Sequence, residues 1–96
     1  MSSLYKGGTM TLRDRAAAIE QNGVNDHVKQ IGRQIKVWVE GVTANSMSKS
    51  EMRNHIDMDI GGLTNGQINA SVLGIDNTVK AELESLINEA KTFAAE

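Results

Sequence analysis

The sequence predicts an all-α protein, a compact bundle of about five helices with a long helix over residues 25–44 at its centre. Three observations carry that expectation. In NDHVKQIGRQIKVWVEGVTA, residues 25–44, the apolar residues Val28, Ile31, Ile35, Val39 and Val42 recur at steps of three and four, which places them on one helical stripe. Toward the C-terminus Val79, Leu83, Leu86, Ile87, Ala90 and Phe93 repeat the pattern more cleanly. No proline interrupts any of the 96 residues.

Taken in order, residues 1–10 hold Gly7-Gly8 and no periodicity, which predicts a flexible N-terminal arm ahead of a single helical domain over 11–96. Thr11 opens helix one, TLRDRAAAIEQN, with Asp14 three residues on in a relation like a capping box. Leu12, Ala16 and Ile19 share a face, and the alanine run favours helix. Asn22-Gly23 is expected to supply a left-handed stop.

Helix two is the organising stretch, since its apolar residues fall within roughly 80° of one another on the helix surface. A strand competes for part of it, because Ile35, Val37 and Val39 alternate with Lys36, Trp38 and Glu40. The helical pattern runs from Val28 to Val42 and the alternation only from Ile35 to Glu40, so helix is the expectation. Gly32 and Gly41 each weaken it by ~1 kcal/mol relative to alanine. They should therefore admit a close backbone approach or mark fraying.

Ser48-Lys49-Ser50-Glu51 is a capping box opening helix three, followed by Met52, Ile56, Ile60 and Leu63 at helical spacing and a Gly61-Gly62 stop. Thr64-Asn65-Gly66-Gln67 is a second capping box, opening a short helix through Leu73 that Gly74 terminates. A β-hairpin turning at Asn65-Gly66 is the alternative there, although the flanking residues do not alternate cleanly. Asp76 or Asn77 caps the last helix, which is expected to lie side by side with helix two.

Composition narrows the function. Hydrophobic content of 40% and charged content of 23% are ordinary for a soluble globular domain. One Trp, one Tyr and one Phe leave the core to Ile, Leu, Val and Met. The absence of cysteine excludes a disulfide framework, a thiolate metal site and a cysteine nucleophile. No apolar run approaches the ~18 residues of a membrane span. The opening MSSLYKGGTM lacks the apolar centre of a signal peptide, so a cytoplasmic protein without membrane contact is expected.

The net charge of −2 divides unevenly, with residues 1–44 at +2 and residues 45–96 at −4. Such a split suits head-to-tail self-association, a basic surface for an anionic partner, or simple scatter of solvated charge.

Candidate chemistry is sparse. His55, Asp57 and Asp59 resemble a metal cluster, but on a helix residues two apart point ~200° from each other, and His55 with Asp59 makes only two ligands. The run from Asp57 to Ile68 echoes a calcium loop, yet its twelfth position is Ile68 where an acidic ligand is needed. Neither histidine has a recognisable acid–nucleophile context, and the Gly-Gly pairs lack the lysine of a phosphate loop. No catalytic, cofactor or metal residue is assigned, and a non-enzymatic protein is expected.

Three constellations point to binding instead. Lys29, Arg33 and Lys36 form a basic stripe for an anionic partner, partly cancelled by Glu40. Residues 48–74 can be read as a helix-turn-helix whose second helix offers Asn65, Gln67 and Asn69 to base edges, although the surrounding half is acidic. Val37 lies nearly opposite the core stripe of helix two, beside uncharged Gln34 and Gly41, with Trp38 at the stripe's edge.

These residues favour a helical interaction module: an adaptor, regulator or inhibitor that binds another macromolecule and self-associates through Val37, Trp38, Gly41 and Gln34. A small DNA-binding regulator is the alternative, with nucleic acid the less favoured partner.

Overall fold

Helix is the only regular secondary structure among the described residues, which are 11–60 and 74–95 in a computed structural model, the side chains of residues 59 and 60 excepted. Four helices follow in order: α1 (Leu12–Asn22), α2 (Asp26–Thr43), α3 (Lys49–His55), which continues into a π-helical turn (Ile56–Ile60), and α4 (Asn77–Ala94). The expected short helix from Thr64 to Leu73, and the hairpin that competes with it, lie outside the described residues, as does the N-terminal arm. A fifth helix therefore stands unconfirmed. A radius of gyration of 13.3 Å is that of a compact chain, ~13 Å being usual near 100 residues.

Every helix start is made by a side chain the sequence supplies. Thr11 Oγ1 accepts from the Asp14 amide at 3.1 Å, Asn25 Oδ1 from Val28 at 3.0 Å, and Asp76 Oδ1 from Val79 at 2.9 Å. At α3 the box is reciprocal, with the Glu51 amide donating to Ser48 Oγ and the Ser48 amide to Glu51 Oε1. Each of these satisfies an amide that the first helical turn leaves without a backbone acceptor. The strand reading of residues 35–39 fails because α2 runs unbroken through them.

Helix ends depart further from expectation. Gly23 is extended (φ −57°, ψ 149°), not left-handed. Space explains the glycine, since a Cβ there would meet the Ile19 carbonyl at 2.8 Å and Val28 Cγ1 at 2.9 Å. Among the described residues the left-handed ones are Asn45 (φ 62°), in the turn after α2, and Gly74 (φ 68°), before α4. Asn and Gly are the residue types that tolerate this region. The π turn after His55 has no signal in the apolar spacing, because Met52 and Ile56 are both buried as a regular helix would place them.

One core joins all four helices. Ile31, Ile35, Met52, Ile56, Leu83 and Leu86 are its largest fully buried side chains, with Ala16, Val28, Val39, Ile87, Ala90 and Ala94 around them. The closest pair is α1 with α2; α2 also contacts the last helix, but over a smaller area than the expected side-by-side packing implies. Gly32 decides this: a Cβ on it would stand 2.7 Å from both the Ala16 carbonyl oxygen and the Glu20 amide nitrogen. Two main chains come together there, whereas α4 has no glycine and puts Leu83, Leu86 and Ile87 into the core along with Ala90 and Ala94. Ion pairs from Arg13 to Glu40 and from Glu20 to Lys36 reinforce the α1–α2 pair.

Candidate functional site

The surface of α2 divides into three sides. The core side carries Val28, Ile31, Ile35, Trp38 and Val39, all buried. The side toward α1 carries Gly32 and Lys36. The third side carries Gln30, Arg33, Val37 and Ala44, all exposed, with Gln34 and Gly41 partly so. Val37 keeps 48% of its area in solvent, one of three large apolar residues so exposed among those described, with Val24 and Met58. An apolar side chain projecting from a mainly polar surface loses nothing by being covered and gains ~25 cal/mol for each Å² removed from water.

Of the four residues expected on this contact face, the structure keeps three together. Val37, Gln34 and Gly41 share it, but Trp38 does not. Its indole is only 6% exposed and stacks on the His55 imidazole of α3, ring centroids 5.6 Å apart and planes 17° from parallel. Trp38 is thus a core residue that docks α3 on α2. Its position one step from Val37 turns it through ~100°, and that step carries it from outer face to core.

The basic stripe is also divided. Lys36 is half-buried and its ammonium is bonded to Glu20, so it serves the α1–α2 contact and is not offered to an anion. Glu40 is held by Arg13, whose Nε and terminal nitrogen both reach Oε2 at 2.9 Å. Lys29 and Arg33 remain exposed. The charge difference between the two halves is partly consumed within the chain, because Arg15 of α1 pairs with Glu89 of α4 and also reaches Ser85 Oγ at 3.3 Å. Asn65, Gln67 and Asn69, the proposed base readers, lie outside the described residues.

Sequence reasoning missed an apolar groove beside this face. It encloses about 560 Å³ between the start of α1, the end of α2 and the end of α4, and its lining includes Leu12, Val39, Thr43 and Phe93, with Arg13 and Glu40. The residues come from three separate elements, so no local spacing could have signalled it. Phe93 is further contacted by the Lys49 ammonium, 5.3 Å from its ring centre, and the Arg53 guanidinium donates to the Ala94 carbonyl at the end of α4. These contacts close the α3–α4 corner through polar groups on apolar stems.

No group of three His, Asp or Glu side chains converges among the described residues. Among the described residues one carboxyl is clearly perturbed: Glu51 is held below the ordinary carboxylate range, first by the Ser48 amide and then by the Ser48 hydroxyl. The cause is helix capping. Among the described residues no helix is long and apolar enough to cross a membrane. No protein family, curated protein or solved structure matches this chain.

Proposed function

We propose that this chain is a non-enzymatic helical interaction module, an adaptor, regulator or inhibitor that acts by binding another macromolecule and associates with itself through α2. The observation that carries this reading is the half-exposed Val37 on the side of α2 turned away from the core. On one side of it Gln30, Gln34 and Gly41 carry no charge that would resist desolvation.

Sedimentation equilibrium tests self-association, and Val37→Glu tests the face. The wild-type protein is expected to dimerise in the micromolar range. The variant is expected to sediment as a monomer with an unchanged helical spectrum, because the introduced carboxylate stays in water in the free protomer and is desolvated only on pairing. A wild-type protein that is monomeric throughout the micromolar range would end the self-association reading. Affinity capture from the native cell, with Val37→Glu as the control bait, then tests for a further partner that uses this face.

A further inference from the structure

We infer that the partner on this face is a second copy of the chain, its α2 antiparallel to the first and related by a two-fold axis passing beside Val37. This rests on the reading that the chain self-associates through α2, and it specifies the geometry.

Two observations carry it. The first is Gly41. A glycine inside a helix costs ~1 kcal/mol relative to alanine, so its presence asks for a reason. Gly32 and Gly23 have one within the protomer, since a Cβ at either would collide below 3 Å. Gly41 has none: its φ is not positive, and a Cβ would meet Met47 Cβ at 3.4 Å and Ser46 Oγ at 3.6 Å, ordinary contact distances. Gly41 is partly exposed on a flank of Val37, where the nearest atoms of its own chain are those of Ser46 and Met47.

The second is self-complementarity of charge. At ~100° per residue, Arg33 and Glu40 lie on one flank of Val37, and Gln34 and Gly41 on the other. A two-fold axis perpendicular to the helices sets residues before Val37 against residues after it and keeps each flank against the same flank. Arg33 then stands beside Glu40 of the partner subunit, and the reverse pair forms by symmetry. The Gln34 amide lies over the gap left by Gly41 of the partner subunit. Arg13 engages Oε2 of Glu40, and the Glu40 side chain is 46% exposed, which leaves the carboxylate within reach of a second guanidinium. A parallel pair exchanges the flanks, so Arg33 would stand beside Gln34 of the partner subunit and the charge pair would not form. An isologous contact of this kind closes at two chains.

The chain has no cysteine, so introduced thiols report geometry without background. Val37→Cys is expected to close a disulfide-linked dimer under mild oxidation, because the two positions meet at the axis. Gln30→Cys lies about 10.5 Å along the helix from the axis, so it should not bridge to itself but should bridge in a mixture with Ala44→Cys. Charge reversal is the second test. Arg33→Glu and Glu40→Arg should each weaken dimerisation by about tenfold or more at low salt, while an equimolar mixture of the two restores it as a heterodimer. Both positions are exposed, and circular dichroism checks that each variant stays helical.

Bridging by Gln30→Cys alone, or charge variants that dimerise as the wild type does, would overturn the antiparallel pair while leaving self-association standing. A wild-type protein that never dimerises would overturn both.

Discussion

Gly32 of α2 lies against the main chain of Ala16 in α1, so near that a Cβ would stand 2.7 Å from the Ala16 carbonyl oxygen. The Glu20 amide nitrogen is equally near, and neither is the end of a flexible side chain that could swing aside. Gly32→Ala should therefore destabilise by about 1–3 kcal/mol despite the better helix propensity of alanine. A lower urea midpoint is the expected reading. Gly41→Ala is the contrast: measured at concentrations too low for association, it should raise the midpoint, by up to ~1 kcal/mol. Equal effects at the two glycines would refute the distinction drawn between them.

Ile35 and Leu83 are fully buried, one on α2 and one on α4, at the centres of the two strongest apolar stripes. Replacing either with alanine should cost ~2–5 kcal/mol, counting lost burial and the cavity left behind. A domain of this size has only ~5–15 kcal/mol of stability, so either variant should unfold at much lower denaturant. Midpoints near wild type for both would mean the core lies elsewhere.

The stack of Trp38 on His55 is the aromatic contact between α2 and α3. His55→Ala should cost about 0.5–1.5 kcal/mol and shift Trp38 emission to the red as water reaches the indole. The two readouts together separate this contact from a general loss of helix. A stable variant with unaltered emission would show that the imidazole does not cover the indole in solution.

Glu51 links the cap of α3 to pH. Its folded carboxyl is held below the ordinary value of 4.5 by the Ser48 amide first and the Ser48 hydroxyl second. A depressed carboxylate contributes stability that is present above pH 4.5 and lost as pH falls through the folded value. Glu51→Gln should thus be less stable than wild type near neutrality, with the difference shrinking below pH 4.5. Urea midpoints across pH 3–7 read this directly. A difference that grows toward acid would reverse the sign and remove capping as its cause.

What was legible in the sequence is what local chemistry decides. The starts at Thr11 and Ser48 were legible, and that at Asp76 as one of two candidates with Asn77, because a capping oxygen needs only the amide three residues on; the cap at Asn25 has the same chemistry. The buried residues of α2 and α4 follow from their three-and-four spacing, since the helical turn alone fixes which side chains share a face. Val37 was legible as an outward residue for the same reason, and so was its company with Gln34 and Gly41.

What only the tertiary structure decided are the meetings between elements distant in the chain. Gly32 and Gly41 look alike as sequence, yet one seats the backbone of α1 and the other would bring a Cβ only into ordinary contact with Ser46 and Met47. Lys36 and Arg33 belong to one basic stripe until Glu20, on a different helix, claims the first and leaves the second in water. Trp38 lay near the edge of its stripe, and His55 on α3 made it core. In each case the periodicity gave a side chain its direction, and what stands in that direction depends on where another helix comes to rest.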